Sequence, residues 1–501
     1  MGVAIQAEAR ASGSAVCWTT TLLFVCERLR RCADEPLATL RSGTTNQSHF
    51  KIQKVHQMHW KPYKPTEAMP WNLKRVVHLH RRAGFAAPWT QLQRDLADGP
   101  ELALNRLLGG NEPPEQFEDL AEKIGNAAAG SNNPQRLKAW WLWRMLKTND
   151  PLTERLTLMW HNHFATSNRK VKSLALMHGQ NEIFRRLGRG GFGELLSSVV
   201  KHPAMLIWLD ADSNRKGKPN ENLSRELMEL FTLAPGNYSE ADVREAARAL
   251  AGWTVINDKF EDRKARHDNA ELTILGKSQP FTADQLLELL TQHPATANRI
   301  AWRICKTLIS RDAVSESALK ELAQGLTASG LDINWAVTTV LKSELFFSDA
   351  NIRTKVIGPT EWIVGAIRCL GLGQTPPKTM ALAQWAVRLG QNLFYPPNVG
   401  GWSEGRSWLS SRTIVARANF ANALASGTLW NPRQAPNLDQ LATDGGAAGD
   451  LESKVNWLCE LLHGEALPKT VDAVVAASKK SDLGFASAAA MLLSRPEYQL
   501  G

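Results

Sequence analysis

From Trp60 to the end of the chain, apolar side chains recur at intervals of three and four residues, and strict alternation is nearly absent. That spacing collects side chains on one face of a helix, whereas a half-buried strand needs a period of two. The segment from Pro134 to Lys147 carries Leu137, Trp140, Trp141 and Met145 in this way. Residues 151–165 and 173–187 read as helices too, and Leu223, Leu227 and Leu230 make an apolar stripe further on. Asn220 is placed to cap that helix, with Glu221 in its first turn. Ser239 and Asp242 spell a capping box that opens another helix, whose Val243, Ala246, Ala247 and Leu250 face inward. A chain patterned like this is confined to an all-α fold: a large multi-helix bundle with long Pro/Gly-rich loops and little or no β-sheet. One short strand is expected at Thr273–Leu275, inside a long loop from Asp258 to Pro280. A second irregular stretch is FYPPNVGGW, Phe394 to Trp402, where Pro, Gly and Asn supply the turn chemistry.

The 501 residues divide unevenly. Residues 1–57 lack sustained helical periodicity and read as a flexible tail, or as upstream sequence before a start at Met58. Residues 58–501 read as one large helical domain. The net charge of +10 loses its meaning once located: residues 1–64 hold nine Lys/Arg and four Asp/Glu, and the rest hold 50 and 45. There is no basic stripe with interleaved aromatics, so nucleic acid is not an expected partner. The 18 tryptophans against 4 tyrosines are read as core and helix-packing residues. Cys305, Cys369 and Cys459 have no metal-ligand spacing and are expected to be buried thiols.

No apolar run is long enough to span a bilayer. The mildly apolar Ala15–Cys26 stretch is broken by Thr19, Thr20 and Thr21 and followed by Arg28, Arg30 and Arg31, which is not the pattern of a signal peptide. On that ground, and on the scattered cysteines, a cytoplasmic location is favoured.

The candidate chemistry lies between Glu154 and Trp253. Trp160-His161-Asn162-His163-Phe164 sets two histidines among large apolar side chains, where polar groups are costly unless paired or used. On a helix His161 and His163 point roughly 200° apart. They can chelate one metal only if the helix ends there. Glu226 and Glu229 are i, i+3 neighbours, so they need a cation between them or one raised pKa. Arg225, Arg244 and Arg248 are the candidate cations. The Glu-x-x-His pattern of di-iron bundles is absent from this region. His267-Asp268 is a further polar pair that could border a site. His78 and His80 are two apart on a basic helix, so one of them is expected to be exposed.

Several longer motifs occur in one order: HLHRRAGF, WHNHFATS, HPAMLIWLD, PNENLSRELMELFTL, YSEADVREAARALAGWTV, LGQNLFYPPNVGGW and SRPEYQL. With His267-Asp268 among them, they resemble the bacterial family catalogued as domain of unknown function 1800, over about residues 71–501. The resemblance assigns no reaction. It implies that many relatives are exported and are encoded near a sulfatase-like partner. This chain departs from the pattern in lacking a recognisable signal, and in reading LAPGNYSE where the family shows LGxGxYTE.

Three functions fit these residues. One is a hydrolytic or metal-assisted enzyme with a polar pocket enclosed by helices 151–165, 220–233 and 240–252. His161, His163, Glu226 and Glu229 would line it, with Arg225 and Arg248 as charge partners. Its cofactor would be a divalent metal held by some of His161, His163, Glu226, Glu229, His267 and Asp268. The second is a non-enzymatic scaffold or partner-binding protein in which the same residues form a buried Arg–Glu–His network. The third is a carbohydrate binder using Trp402 and Trp408 beside Gly400 and Gly401, which are otherwise loop anchors. The Gly188–Gly193 run follows a helix and lacks the phosphate-loop lysine, so it reads as a helix end.

Overall fold

A computed structural model describes residues 59–109, 115–310, 313–373, 375–480 and 484–501. The 1–57 segment, with Cys17, Cys26 and Cys32, lies outside the described residues. Among the described residues the chain forms 23 α-helices and two two-stranded sheets, so the fold is all-α in substance. Pro134–Lys147 has the bounds that the apolar spacing predicts, with the Asn133 side chain capping Gln135 N. Ser239 and Asp242 form the expected capping box on Glu240–Ala249.

Two corrections arise, one in a loop and one in a helix. The Asp258–Pro280 stretch holds most of two antiparallel hairpins: Trp253–Ile256 pairs with Lys259–Asp262, and Leu272–Ile274 with Lys277–Gln279. Each turn has two residues, Asn257-Asp258 and Leu275-Gly276, all four with positive φ. That is the geometry favoured for two-residue hairpins, and short strands of three or four residues leave little alternation to read. The helix expected over 220–233 is also not uniform. Asn222–Glu226 is α-helical, while Leu227–Thr232 is wound as a π-helix. Asn220 accepts Asn222 N at 2.9 Å, but Glu221 occupies the cap position.

The helices enclose two apolar cores. One gathers the segments from Phe192 to Phe347 with Trp160 and Phe164. The other joins Trp140 and Trp141 to the helices from Pro359 to Ser494. Several helices serve both, and two of them matter here. Leu73–Ala83 gives Leu79 and Ala83 to the first core and Val76 and Val77 to the second. Pro151–His163 gives Leu152, Leu156 and Met159 to the first and Leu158 to the second. A helix packed on two sides keeps little solvated face, so most of its polar residues are buried: Arg75, His78, His80 and Arg82 on one, Glu154, Arg155, His161, Asn162 and His163 on the other. The expected exposure of His78 or His80 fails for this reason. His80 Nε2 instead meets Asp95 at 2.7 Å, and His78 Nε2 meets the Phe346 carbonyl at 2.9 Å.

Candidate functional site

Three consecutive residues at the end of the Pro151–His163 helix each hold a different piece of backbone. His161 Nε2 accepts the Phe394 N–H at 3.1 Å. Asn162 Oδ1 accepts the Trp402 N–H at 2.7 Å, and its Nδ2 donates to Glu404 Oε1 at 2.7 Å. His163 Nε2 bonds the Phe231 carbonyl at 3.1 Å. The π-helix ends there, and its neighbouring Leu230 carbonyl takes Arg299 Nε at 3.0 Å. Helix-end carbonyls lack intrahelical partners, so an imidazole and a guanidinium complete them. Trp160 adds a fourth tie, its indole N–H donating to Gly188 O at 2.8 Å.

Aromatic rings close this hub against water. Trp141, Phe394 and Trp402 surround His161, while Trp160, Phe164 and Phe231 surround His163. Burial lowers the His161 pKa to about 3. Burial, helped by Arg303 and Arg299, lowers His163 well below the usual range. Both rings are therefore neutral at physiological pH. Gly401 fits only because it is glycine: its φ is +79°, and a Cβ would overlap Asn162 Oδ1.

The acidic residues form a separate corner. Burial and the Glu229 charge raise the Glu226 pKa, with Arg225 pulling the other way. Tyr238 donates its hydroxyl to Glu229 Oε2 at 3.0 Å. Arg225 and Arg248 are not hydrogen-bonded to this pair. Arg225 binds Glu240 at 2.8 Å and Glu221 at 2.9 Å. Arg248 binds Asp268 at 2.7 Å and Glu245 at 2.9 Å. The Arg225–Glu240 and Arg248–Asp268 ties pin the Glu240–Ala249 helix to its neighbours. His267 Nε2 meets Asp262 Oδ1 at 2.5 Å and packs over Gly252. The expected meeting of His161 or His163 with Glu226 or Glu229 takes a different form. No hydrogen bond or ion pair joins them among the described residues, and the carboxyl segment reaches His163 through the Phe231 carbonyl. Among the described residues, no three His, Cys, Asp or Glu side chains are grouped to hold a metal ion. Trp402 and Trp408 are buried, so their faces pack inside the protein. Cys305, Cys369 and Cys459 are the expected buried thiols.

Two charge clusters went unrecognised in the sequence. Glu154, 1% exposed, takes Arg144 at 3.0 Å, Arg185 at 2.6 Å and the Trp141 indole N–H at 2.9 Å. Burial pushes its carboxyl up, but Arg185 and Arg144 win and hold it to about 2. The second cluster lies where the two cores meet. Arg155 bonds Glu361 Oε1, and its Nη2 shares the Thr307 carbonyl with Lys355 Nζ, the latter at 2.5 Å. Glu404 lies 3.3 Å from Lys306 Nζ and 3.8 Å from Arg303 Nη1. Burial raises the Glu404 carboxyl, and Arg303, Lys306 and Lys355 overcome it, leaving it at about 2. The signal was present: Glu154, Arg155, Arg303 and Glu361 interrupt otherwise apolar helical faces. Such residues are rarely buried without partners.

A family model described as "Protein of unknown function (DUF1800)" matches residues 78–500. The chain belongs to that family. The match takes in every segment tied by His161, Asn162 and His163. No curated protein and no solved structure matches the chain. No helix among the described residues is long and apolar enough to cross a membrane.

Proposed function

We propose that this DUF1800 member is a partner-binding scaffold whose buried Arg–Glu–His network fixes the shape it presents. One observation carries the reading. Ring nitrogens of His161 and His163 and both side-chain polar atoms of Asn162 are engaged by loop backbone, a helix end and Glu404. Groups so engaged hold the 394–404 loop and the π-helix in register, and the Glu154 cluster does the same for the preceding helix. The family resemblance points to a sulfatase-like protein as the partner, and the chain has no basic stripe for nucleic acid.

The metal-assisted hydrolase reading keeps one observation in its favour. Glu226, raised by burial and by Glu229, is suited to give or take a proton beside Tyr238. Metal analysis of purified protein, with His161→Gln and Glu226→Gln, separates the two. A scaffold gives substoichiometric metal, a destabilised His161→Gln and a Glu226→Gln of unchanged melting temperature. Stoichiometric metal that disappears in a folded Glu226→Gln overturns the scaffold reading.

A further inference from the structure

The excess positive charge of residues 65–501 is concentrated at one place. These residues hold 50 Lys/Arg against 45 Asp/Glu. Segments 212–218 and 259–268 hold seven Lys/Arg against four Asp/Glu, so three of the five excess charges lie in 17 residues. Hydrogen bonds bring the two segments together. The Lys216 N–H donates to the Arg266 carbonyl at 3.0 Å, and Arg266 Nη1 donates to the Asp212 carbonyl at 3.2 Å. The acids here are already taken. Asp212 pairs with Arg266 at 3.2 Å, Glu261 with Arg263 at 3.6 Å, Asp262 with His267 at 2.5 Å and Asp268 with Arg248 at 2.7 Å. Arg215, Lys216, Lys218, Lys259 and Lys264 are exposed, and their side chains have no hydrogen bond or ion pair among the described residues.

The fold holds these like charges close instead of letting them spread. Arg215 and Lys218 exchange both backbone bonds, at 3.3 and 2.9 Å, around a Lys216-Gly217 turn in which Gly217 takes a φ of +76°. Bridged residues point to the same face, where like charges directly opposite are destabilising. Buried Asn214 anchors the loop from behind: its Nδ2 donates to the Ala247 carbonyl at 2.7 Å and its Oδ1 accepts the Asn220 N–H at 3.0 Å. Beside Lys218 an open groove of about 360 Å³ is lined by Ser213, Pro219, Asn220 and Glu221, and Glu221 is turned to Arg225 at 2.9 Å. A loop ordered in advance loses little conformational freedom when a partner meets it.

Resting on the scaffold reading, we propose that this basic face docks an acidic segment of a partner protein, whose Asp or Glu side chains meet Arg215, Lys216, Lys218 and Lys264. Charge complementarity of this kind steers encounter and selects among partners. A protein fits better than single-stranded nucleic acid. The one Phe, Trp or Tyr of the two segments is Phe260, which packs edge-on against buried Trp253 at 5.5 Å, so no fully exposed ring is offered for base stacking.

The test uses the full chain and a fluorescein-labelled peptide of alternating Glu and Gly, with a Gln–Gly peptide of the same length as the neutral control. Fluorescence anisotropy should show binding of the acidic peptide that weakens as salt is raised, and no binding of the neutral one. Arg215→Gln, Lys216→Gln and Lys218→Gln together should weaken it at least about tenfold, with a melting temperature no lower than the parent's. Lys469→Gln, Lys479→Gln and Lys480→Gln, exposed on and just after the Pro468–Ser478 helix, remove the same net charge and should bind like the parent. Equal weakening in the two triple variants, or an acidic peptide bound no better than the neutral one, overturns the proposal. So does a DNA duplex that binds at this face, as read by the first triple variant, when the peptide does not. Metal analysis decides the scaffold reading separately. A metal-free chain that ignores the peptide remains a scaffold and loses only this face, whereas stoichiometric metal that disappears in a folded Glu226→Gln removes the scaffold reading whatever the peptide does.

Discussion

Changing Asn162 to Ala removes two short bonds, and a long one of 3.5 Å to Trp402 O, from the centre of the hub without touching either histidine. The Trp402 N–H loses its 2.7 Å acceptor and Glu404 loses its 2.7 Å donor. Glu404 keeps Lys306 at 3.3 Å, so its remaining charge is still balanced. Trp402 is 6% exposed, so its N–H is left without water. Each of the two lost bonds contributes about 1 kcal/mol net, and an orphaned buried donor adds about 1–3 kcal/mol, so the expected loss is about 3–5 kcal/mol. The assay is urea unfolding, with amide exchange across residues 394–409 as a local readout. The midpoint should fall with little change in slope, and protection should drop in that loop before it drops elsewhere. Asn398→Ala is the control: Asn398 is exposed and caps only Gly400 N at 3.0 Å, so its effect should stay within about 0.5 kcal/mol. A loss below about 1 kcal/mol, with loop protection unchanged, would show that the hub does not hold the loop.

Other perturbations test the same architecture. The pKa values of His78, His161, His163, His202 and His463 are lowered in the fold, burial being the first cause in each. The unfolded chain therefore binds more protons below pH 6.5, and stability is lost as pH falls from there towards the folded values. For His161, at about 3, the loss is about 2 kcal/mol at pH 5. Denaturation midpoints that stay flat between pH 7 and 5 would refute this. Gly401→Ala combines a positive φ with overlap on Asn162 and should destabilise more than Asn162→Ala, read as a lower melting temperature. Trp160→Ala should cost about 3–5 kcal/mol, because its ring is fully buried and its indole N–H holds Gly188; a loss under about 1 kcal/mol would refute a core role.

The all-α fold was legible because helical periodicity and caps are local. Leu137, Trp140 and Trp141, the Ser239–Asp242 capping box and the long motifs needed no knowledge of what packs against them. Trp160 and Trp253 are buried where the apolar faces placed them, at 0% and 2% exposure. The neighbourhood of interest was legible too, since a polar tripeptide between Trp160 and Phe164 must be used or paired. Its partners were not. The bonds of His161, Asn162 and His163 run to Phe394, Trp402, Glu404 and Phe231, which lie 68 to 242 residues away in the chain. Residue spacing carries no information about contacts over that distance. The same limit hid the burial of both His78 and His80, whereas Arg225 and Arg248 take Glu221 and Glu245, acids four and three residues away, besides Glu240 and Asp268. Only the packing of two cores on opposite sides of the same helices decides which charged side chains lose their water, and that loss makes each of them choose a partner.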